Sequence, residues 1–494
     1  MSAGVRVCCA LSPSAGGSIA DARVALFSYL HARKIAGRLI LRVADAETGR
    51  FDVREKELLG ALAWLGLTWD EGPDVGGLYG PYRQSERTVL YREAANQLLA
   101  KGKAYFCYCS PEELEAEARR AAAEGQARRY QDRCRAPEVR RELAKEGRSP
   151  VVRFLVPEGR EIAFRDLVRR EVTLHSDDLG DLAIYSRTDE HLATGHALGD
   201  LAAAVDDHAM HISCVLHSDG HLGNAARQTL LAQALGYELP QFGHLGPMAP
   251  AADEEGALRG DSVSIASLRQ EGYLPEGILA YLATLGWAPG SASELLTLEQ
   301  LVEQFDSRQL SGKPCAPDAR RLLAANRRYL RTADAQRVRQ LVRPRFEAAY
   351  GRWQNAEDTA HTPEAWLGIL VGAAQEEAAT LSEVVALAEF AFVERVIRLT
   401  PEAEEALGGE WVPEVLRTCR DTLTQGALAT PQSANRHFQD LRHHFRDAAG
   451  LRGRQVMFPV RAALTGSLTG PCLGVVSSLL GLTRCVRRLE DALS

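Results

Sequence analysis

Residues 5–23, VRVCCALSPSAGGSIADAR, decide the fold class of this chain. Val5–Ala10 is short and apolar, which predicts a strand, and a turn rich in Ser, Pro and Gly leads from it into a helix predicted over Ala20–Ile35. In parallel α/β folds, nucleotide phosphates bind where a strand passes through such a turn into a helix, because backbone N–H groups and the helix dipole point at the anion. The stretch therefore predicts an α/β domain of the nucleotide-binding type.

The alternation of strand and helix continues beyond this stretch. Arg38–Asp45 predicts a second strand and Glu55–Leu67 a second helix, an order that favours a parallel, doubly wound sheet. After a long intervening segment, Ile212–His217 predicts another strand and Ala225–Leu235 the helix that follows it. Beyond residue 271 the apolar spacing is helical to the end, so we expect all-α domains there.

Composition bounds the class of protein. The chain has 494 residues, of which 46% are hydrophobic and 25% charged, so it can bury several globular cores. No apolar run approaches the ~20 residues that a membrane span needs, and no signal peptide is evident. The ten cysteines show no paired framework, which favours a reduced, cytoplasmic protein. Because the net charge is −7, any nucleic acid would be bound by local basic patches.

Several motifs occur in an order that resembles one known family. Residues 82–87 read YRQSER, residues 206–208 read DDH, and residues 453–474 read GRQVMFPVRAALTGSLTGPCLG. Together with the opening stretch, they resemble the bacterial-type glutamyl-tRNA synthetases, which are class I aminoacyl-tRNA synthetases, from about residue 5 to residue 494.

The resemblance implies a fold and a partner. The fold would be an α/β Rossmann-like class I synthetase catalytic domain with an inserted acceptor-binding, zinc-type subdomain, followed by all-α C-terminal domains. The partner would be tRNA. The implied segments are 1–102 and 196–250 for the two halves of the catalytic domain, 103–195 for the insertion, 251–320 for a stem-contact region and 321–494 for an anticodon-binding-like domain.

The resemblance also places an ATP site in the opening stretch, but the residues there differ from those of the family. In place of a His-Ile-Gly-type tetrad the chain has Ser18, Ile19, Ala20 and Asp21. In place of a lysine-rich loop, residues 254–259 read EEGALR and keep one cation, Arg259. Exchanging cations for carboxylates opposes a triphosphate, so these residues are interpreted as vestiges of an ATP site and argue against ATP binding. A plainer interpretation of Asp21 is that it stabilises the first turn of its helix.

The amino-acid positions implied by the resemblance have changed as well. The family's carboxylate-binding arginine falls on Cys8, and its ammonium-binding glutamate falls on Ala44. A pocket tyrosine falls on Gly199 and a second arginine on His217, whereas Ser12 is kept. Because a site for charged groups loses its discrimination when their partners are removed, we predict that the chain does not activate glutamate by the family mechanism.

Two groups of residues are candidate metal ligands. Cys107 and Cys109, with Tyr130 and Cys134 further along, resemble a pattern found in some family members that binds zinc. The alternative is an inherited trio of buried cysteines without metal. Histidines also crowd this half of the chain, and the pairs at 208 and 211 and at 217 and 221 are candidate ligands only if they lie on helices; ordinary satisfied or solvent-facing histidines are the alternative.

The C-terminal region is locally basic and is the candidate RNA-binding surface. Arginine can pair with phosphates, and His437, Phe438 and Phe445 are predicted to stack splayed bases. An arginine-rich solvated helix face is the alternative. The candidate RNA-binding residues are Arg436, Arg442, Arg446, Arg452, Arg454 and Arg461.

Three functions follow from these observations. The leading hypothesis is a glutamyl-tRNA synthetase-like pseudoenzyme that binds tRNA, a protein partner or a larger assembly. The alternative is a working glutamate–tRNA ligase with diverged motifs. A third is an enzyme whose emptied pocket accepts another substrate, which a collapsed pocket would count against.

Overall fold

The computed structural model of this chain describes residues 4–13, 16–46, 52–123, 130, 133–186, 191–218, 222–248, 263–288, 295–351, 358–396 and 398–494. Contacts divide the chain into two compact units, residues 1–268 with 278–319 and residues 269–277 with 320–494. None of the described helices is both long and apolar enough to cross a membrane.

The strands belong to the first unit and form two sheets among the described residues. The larger has six strands in the order β2-β1-β8-β9-β5-β6, and the smaller has three in the order β3-β4-β7. Their bounds are β1 Arg6–Leu11, β2 Arg38–Val43, β3 Ala104–Cys107, β4 Val151–Phe154, β5 Glu161–Asp166, β6 Arg170–His175, β7 Leu182–Tyr185, β8 Cys214–Ser218 and β9 Gln241–Leu245.

The larger sheet confirms the predicted parallel α/β fold. β1 pairs in parallel with β2 along its whole length and with β8 on its other side. β8 in turn pairs in parallel with β9, from Cys214 opposite Gln241 to Ser218 opposite Leu245. Because a parallel sheet buries both faces of its strands, β1 and β2 are almost wholly buried, which explains their continuous apolar runs.

The segment interpreted as an insertion contributes to both sheets. β3, β4 and β7 form the small antiparallel sheet. β5 and β6 form a hairpin that joins the larger sheet, where Asp166 lies opposite Phe242 of β9. Apolar residues of this hairpin, such as Ile162 and Phe164, pack with the core of the first unit, which accounts for its place beside β9.

The helices follow the predicted order, and most bounds differ from the sequence prediction by one to three residues. Their bounds are α1 Ile19–Lys34, α2 Asp52–Trp64, α3 Thr88–Ala100, α4 Pro111–Ala123, α5 Pro137–Lys145, α6 Gly199–Ala209, α7 Leu222–Leu235, α8 Ile265–Glu271, α9 Pro275–Thr284, α10 Leu298–Gln304, α11 Ala319–Thr332, α12 Ala335–Tyr350, α13 Pro363–Glu377, α14 Leu381–Leu387, α15 Glu389–Phe392, α16 Pro401–Leu407, α17 Val412–Thr422, α18 Pro431–Ala449, α19 Gly453–Thr465 and α20 Leu473–Asp491.

One helix prediction is wrong. Apolar spacing predicts a single helix over Glu383–Ile397, but the chain breaks there into α14 and α15. Arg488, almost fully buried, binds the chain where α15 ends, because its guanidinium donates to the carbonyl oxygens of Phe390 and Val393 and also to that of Leu464 in α19. These carbonyls would otherwise be buried without donors. Burial lowers the pKa of Arg488 to about 10.

A buried polar network lies beneath the carboxyl ends of β1, β2 and β8. Arg42 of β2 donates to Asp207 at 2.7 Å, and Arg87 donates to Asp206 at 2.6 Å. Asp206 also accepts from Gln84 at 3.0 Å and from the hydroxyl of Tyr91 at 2.9 Å. The YRQSER and DDH motifs are therefore joined by hydrogen bonds in the core of the catalytic-type domain.

Candidate functional site

A cavity of about 550 Å³ opens at the carboxyl edge of the parallel sheet. Strand ends meet there because β1, β2 and β8 run in the same direction, which is the usual position of ligand sites in α/β folds. The structure brings most of the predicted pocket positions to it: Ser12, Ala20, Asp21, Ala44, Gly199 and His217 all line the cavity. The pocket has not collapsed, so it still has room for a ligand.

Other predicted positions lie elsewhere. Ser18 is buried and caps the N-terminus of α1, and Ile19 packs in the core. Cys8, in the middle of β1, is 0% exposed, and burial raises the pKa of its thiol to about 12. Arg259, with the rest of the loop that would replace the family's lysines, lies outside the described residues.

Asp21 has two roles in the structure. Its Oδ2 accepts from the backbone N–H of Ser18 at 3.0 Å and from the Ser18 hydroxyl at 2.8 Å, which completes a capping box at the start of α1. This confirms the interpretation of Asp21 as a stabilising first-turn residue. The same carboxyl lines the cavity, where burial raises its pKa despite the hydrogen bonds from Ser18.

Among the polar cavity residues that the sequence prediction missed are three on α6 and α7. Arg227 and Gln228 reach it from α7, and Asp200 from the first turn of α6. Arg227 lies 3.7 Å from the Asp200 carboxylate, and Gln228 donates to Asp200 at 3.4 Å. Arg227 and Gln228 lie on the helix that follows β8, and Asp200 is the neighbour of Gly199 in the chain. Only these positions could have indicated them from the sequence.

His217 connects the cavity wall to a buried histidine–aspartate pair. In the β8–β9 register it lies opposite His244, and the two ring centroids are 5.9 Å apart. His244 and Asp166 are both buried, with Nδ1 of His244 2.6 Å from a carboxylate oxygen of Asp166. Burial alone would raise the pKa of Asp166, but hydrogen bonds from His244 and from the N–H groups of residues 168 and 169 lower it.

Among the described residues, the histidines of the two candidate pairs do not form a metal site. His208 stacks on Tyr237, with ring centroids 3.9 Å apart, and His211 follows the end of α6 with φ +53°. His217 lies on a strand, and residue 221 lies outside the described residues. Within the part of the chain that the structure describes, the only cluster of three metal-type ligands is a cysteine cluster.

That cluster consists of Cys107, Cys109 and Cys134, whose sulfur atoms all lie within 4.8 Å of one another. The hydroxyl of Tyr130 lies 3.5 Å from the sulfur of Cys107 and 3.7 Å from that of Cys109, and it accepts the N–H of Cys134 at 2.7 Å. Three thiols and one phenol oxygen that converge in this way fit a four-coordinate zinc ion. The three thiols are free of disulfides.

The candidate RNA-binding arginines divide into two groups. Arg442, Arg452 and Arg454 are exposed, line one groove of about 1000 Å³ at the start of α19, and have no ion pair among the described residues. Arg446 pairs with Asp447 at 2.8 Å. Arg461 is half-buried and donates to the carbonyl oxygen of Pro471 at 2.8 Å.

The prediction that aromatic residues of this region stack on bases is wrong in part. Phe438 and Phe445 are buried in the helical core, because they fall on the inner face of α18. Phe458 of α19 lines the groove instead, with the guanidinium of Arg454 5.9 Å from its ring centroid. Arg436 is exposed on α18 but does not line the groove.

Two family models match this chain. The model described as tRNA synthetases class I (E and Q), catalytic domain, matches residues 5–323, and the model described as anticodon binding domain matches residues 328–493.

Relatives are similar over nearly the whole length. The glutamate–tRNA ligase of Heliobacterium modesticaldum is 37% identical over 492 residues, which cover 99% of this chain and 96% of the relative. That of Bacillus subtilis is 35% identical over 494 residues, which cover 99% of both. The crystal structure of a glutamate tRNA ligase from Elizabethkingia meningosepticum in complex with its amino acid is 25% identical, covers 99% of both chains and has a TM-score of 0.78.

Proposed function

We propose that this chain, which belongs to the class I tRNA synthetase family that includes the glutamate–tRNA ligases, binds tRNA but does not activate glutamate in its catalytic-type cavity. It would act as a cytoplasmic pseudoenzyme, alone or with a protein partner or larger assembly. The observation that carries this proposal is the Asp21 carboxyl in the cavity wall, in the first turn of α1, where the family resemblance places ATP.

The charges of the cavity support the proposal. Activation requires fixed positive charge around the α-phosphate as pyrophosphate leaves. The cations among the described lining residues are Arg42 and Arg227, and both face carboxylates, at 2.7 Å and 3.7 Å. At an effective dielectric near 20, a unit charge at ~4 Å contributes about 4 kcal/mol, so a carboxylate in place of a cation opposes the triphosphate by several kcal/mol.

The amino-acid side of the cavity supports it too. Ala44 and Gly199 line the wall without polar side-chain atoms where the family resemblance implies an ammonium ligand and a tyrosine. Cys8 is enclosed in the sheet and is not among the lining residues. His217 replaces an arginine and lacks the forked, permanently charged donor that recognises a carboxylate.

A working glutamate–tRNA ligase with diverged motifs is the second candidate. Its support is the similarity to proteins named glutamate–tRNA ligases, which extends over 99% of this chain at 35–37% identity. Glutamate-dependent ATP–pyrophosphate exchange in the presence of tRNA separates the two candidates, since a ligase sustains this exchange and the proposed pseudoenzyme does not.

Binding of tRNA is expected to depend on the arginine groove. The variant Arg442→Ala/Arg454→Ala should bind unfractionated tRNA about tenfold or more weakly. Its affinity should also depend less steeply on salt, because a complex with fewer phosphate contacts releases fewer counterions when it forms. Filter binding over a range of salt concentrations measures both quantities. Arg446→Ala is the matched control, since Arg446 is already paired with Asp447. Equal affinity of the double variant and the control would contradict a role for the groove.

We also propose that Cys107, Cys109, Cys134 and Tyr130 hold a zinc ion that stabilises the inserted subdomain. Elemental analysis of protein purified without chelators should find about one zinc per chain, and Cys109→Ser should reduce it severalfold and lower the melting temperature. Cys214→Ser, at a buried cysteine of β8, controls for loss of a core thiol. Native protein that lacks zinc even after incubation with zinc salts would refute the site.

A further inference from the structure

The cavity at the sheet edge retains its volume although the residues implied to bind ATP and glutamate have changed. Protein interiors pack closely, and small side chains that replace large ones are commonly met by repacking of their neighbours. Here Ala44 and Gly199, which stand where the resemblance implies a glutamate and a tyrosine, leave the wall open, and about 550 Å³ is available. A space of this size lies within the range of sites for small ligands, and three polar atoms of its wall lack, among the described residues, a partner that a ligand could supply.

The first such atom is Oδ1 of Asp21. The capping bonds from Ser18 both go to Oδ2. Among the described residues Oδ1 has no donor, and no cation is paired with this carboxyl. A carboxylate in a partly buried wall without a counter-ion favours a ligand that brings a positive charge.

The second is Oε1 of Gln228. The side chain is only 6% exposed and lines the cavity. Its Nε2 donates to Asp200 at 3.4 Å, which fixes the other amide atom as the carbonyl oxygen. That oxygen is buried without a hydrogen-bond partner in the described structure. An N–H donor on a ligand would satisfy this oxygen.

The third is Nε of Arg227, which is buried and has no acceptor among the described residues. The charge of this guanidinium is already opposed by the Asp200 carboxylate at 3.7 Å. Arg42, which also lines the wall and whose Nε has no acceptor, faces Asp207 at 2.7 Å and Asp206 at 3.8 Å. With these cations matched by carboxylates, a neutral acceptor such as a carbonyl oxygen suits Arg227 better than a second anion.

We propose that the cavity binds an α-amino amide or ester, a ligand that carries an ammonium beside an uncharged carbonyl. The ammonium would donate to Asp21 and Gln228, and the carbonyl would accept from Nε of Arg227. Two sources supply this chemistry: a free amino-acid amide, or the aminoacyl end of a charged tRNA. The second source rests on the proposed tRNA binding, whereas the first does not.

Calorimetric titration of the full-length chain with L-alaninamide, L-leucinamide and L-glutamine amide tests the ligand class. At least one amide should bind saturably and about tenfold or more tightly than the corresponding free amino acid, whose carboxylate the cavity does not match. Asp21→Asn and Gln228→Leu should each weaken binding about tenfold, whereas Glu93→Gln, which removes an exposed carboxylate elsewhere, should not.

Circular dichroism melting shows whether each variant folds. Asp21→Asn changes a residue of the α1 capping box, whereas Gln228→Leu leaves the box intact, so the second variant tests the cavity even if the first is less stable. Absence of saturable binding by all three amides would overturn the proposal. Equal binding of amide and free acid, or binding that folded Asp21→Asn and Gln228→Leu leave unchanged, would overturn it too.

Filter binding with two tRNAs distinguishes the sources. One carries alanine through a non-hydrolysable 3′-amide, and the other is uncharged. Tighter binding of the charged tRNA, lost in Asp21→Asn, supports the aminoacyl end as the ligand. Equal binding of the two tRNAs overturns that source and leaves free amides. If neither tRNA binds, the proposed tRNA function is refuted, and the amide titration is unaffected.

Discussion

Glutamate-dependent ATP–pyrophosphate exchange is expected to proceed below about 10⁻⁴ of the rate of a glutamate–tRNA ligase, because loss of one preorganised donor to a developing charge costs 10²–10³ in rate, and the resemblance implies the loss of donors both in the tetrad at residues 18–21 and in the lysine-rich loop. The cavity has Asp21 where the family resemblance places ATP, and Ala44 where it places an ammonium ligand. The change at Asp21 affects ATP, and the change at Ala44 affects glutamate. Raising either ATP or glutamate alone therefore should not restore the reaction.

The measurement uses the full chain with unfractionated tRNA present, and the Bacillus subtilis relative named glutamate–tRNA ligase is assayed in parallel. Asp21→Asn is the informative variant, since it removes the carboxylate charge with little change of shape. A small gain in exchange would fit a site blocked partly by this charge. Exchange by the native chain within about tenfold of the relative would establish the ligase function and refute the pseudoenzyme proposal.

Much of the fold could be predicted because its signals are local. The strand over 6–11, the turn and α1 all follow from apolar runs and punctuation by glycine and serine within residues 5–35. The break between α14 and α15 could not be predicted in this way. The end of α15 could not be predicted either, because it involves Arg488, 98 residues from Phe390 along the chain, whose buried guanidinium donates to carbonyls that the helix end leaves unpaired.

The candidate site was predictable to the extent that side chains project from strand ends and first helical turns. Ala44 and His217 follow that rule and line the cavity. Cys8 does not, because it lies in mid-strand where both faces of the sheet are covered. Gln228 escaped prediction because its significance is an oxygen without a partner, and the lack of a partner is visible only when the neighbours are in place.

The two motifs that carry the family resemblance, YRQSER and DDH, meet in one hydrogen-bonded network at the sheet edge. Gln84 and Arg87 donate to Asp206, and Arg42 donates to Asp207; Arg42 and Gln84 also line the cavity. Positions that differ from the family resemblance lie in the cavity wall, as Ala44 and His217 do, and also in the core, as Cys8 does. The DDH and YRQSER motifs therefore contribute to the buried structure of the sheet edge.

Arg42→Met is expected to lower the free energy of unfolding by about 3–5 kcal/mol, because removing one partner of a buried pair leaves Asp207 charged and uncompensated. Chemical denaturation at pH 7 measures the loss, and Arg38→Met on the same strand, with 59% of its side chain exposed against 1% for Arg42, should lose less than about 1 kcal/mol.

The loss of stability in Arg42→Met should depend on pH. Burial raises the pKa of Asp207 and Arg42 opposes that rise, so without Arg42 the pKa of Asp207 in the folded chain should lie further above its pKa in the unfolded chain. A carboxyl shifted in that direction stabilises the fold when protonated, so the deficit should shrink as the pH falls toward the unfolded pKa. Adding Asp207→Asn, which removes the stranded charge, should recover much of the stability; an unchanged deficit would show that Arg42 acts through packing and not through charge.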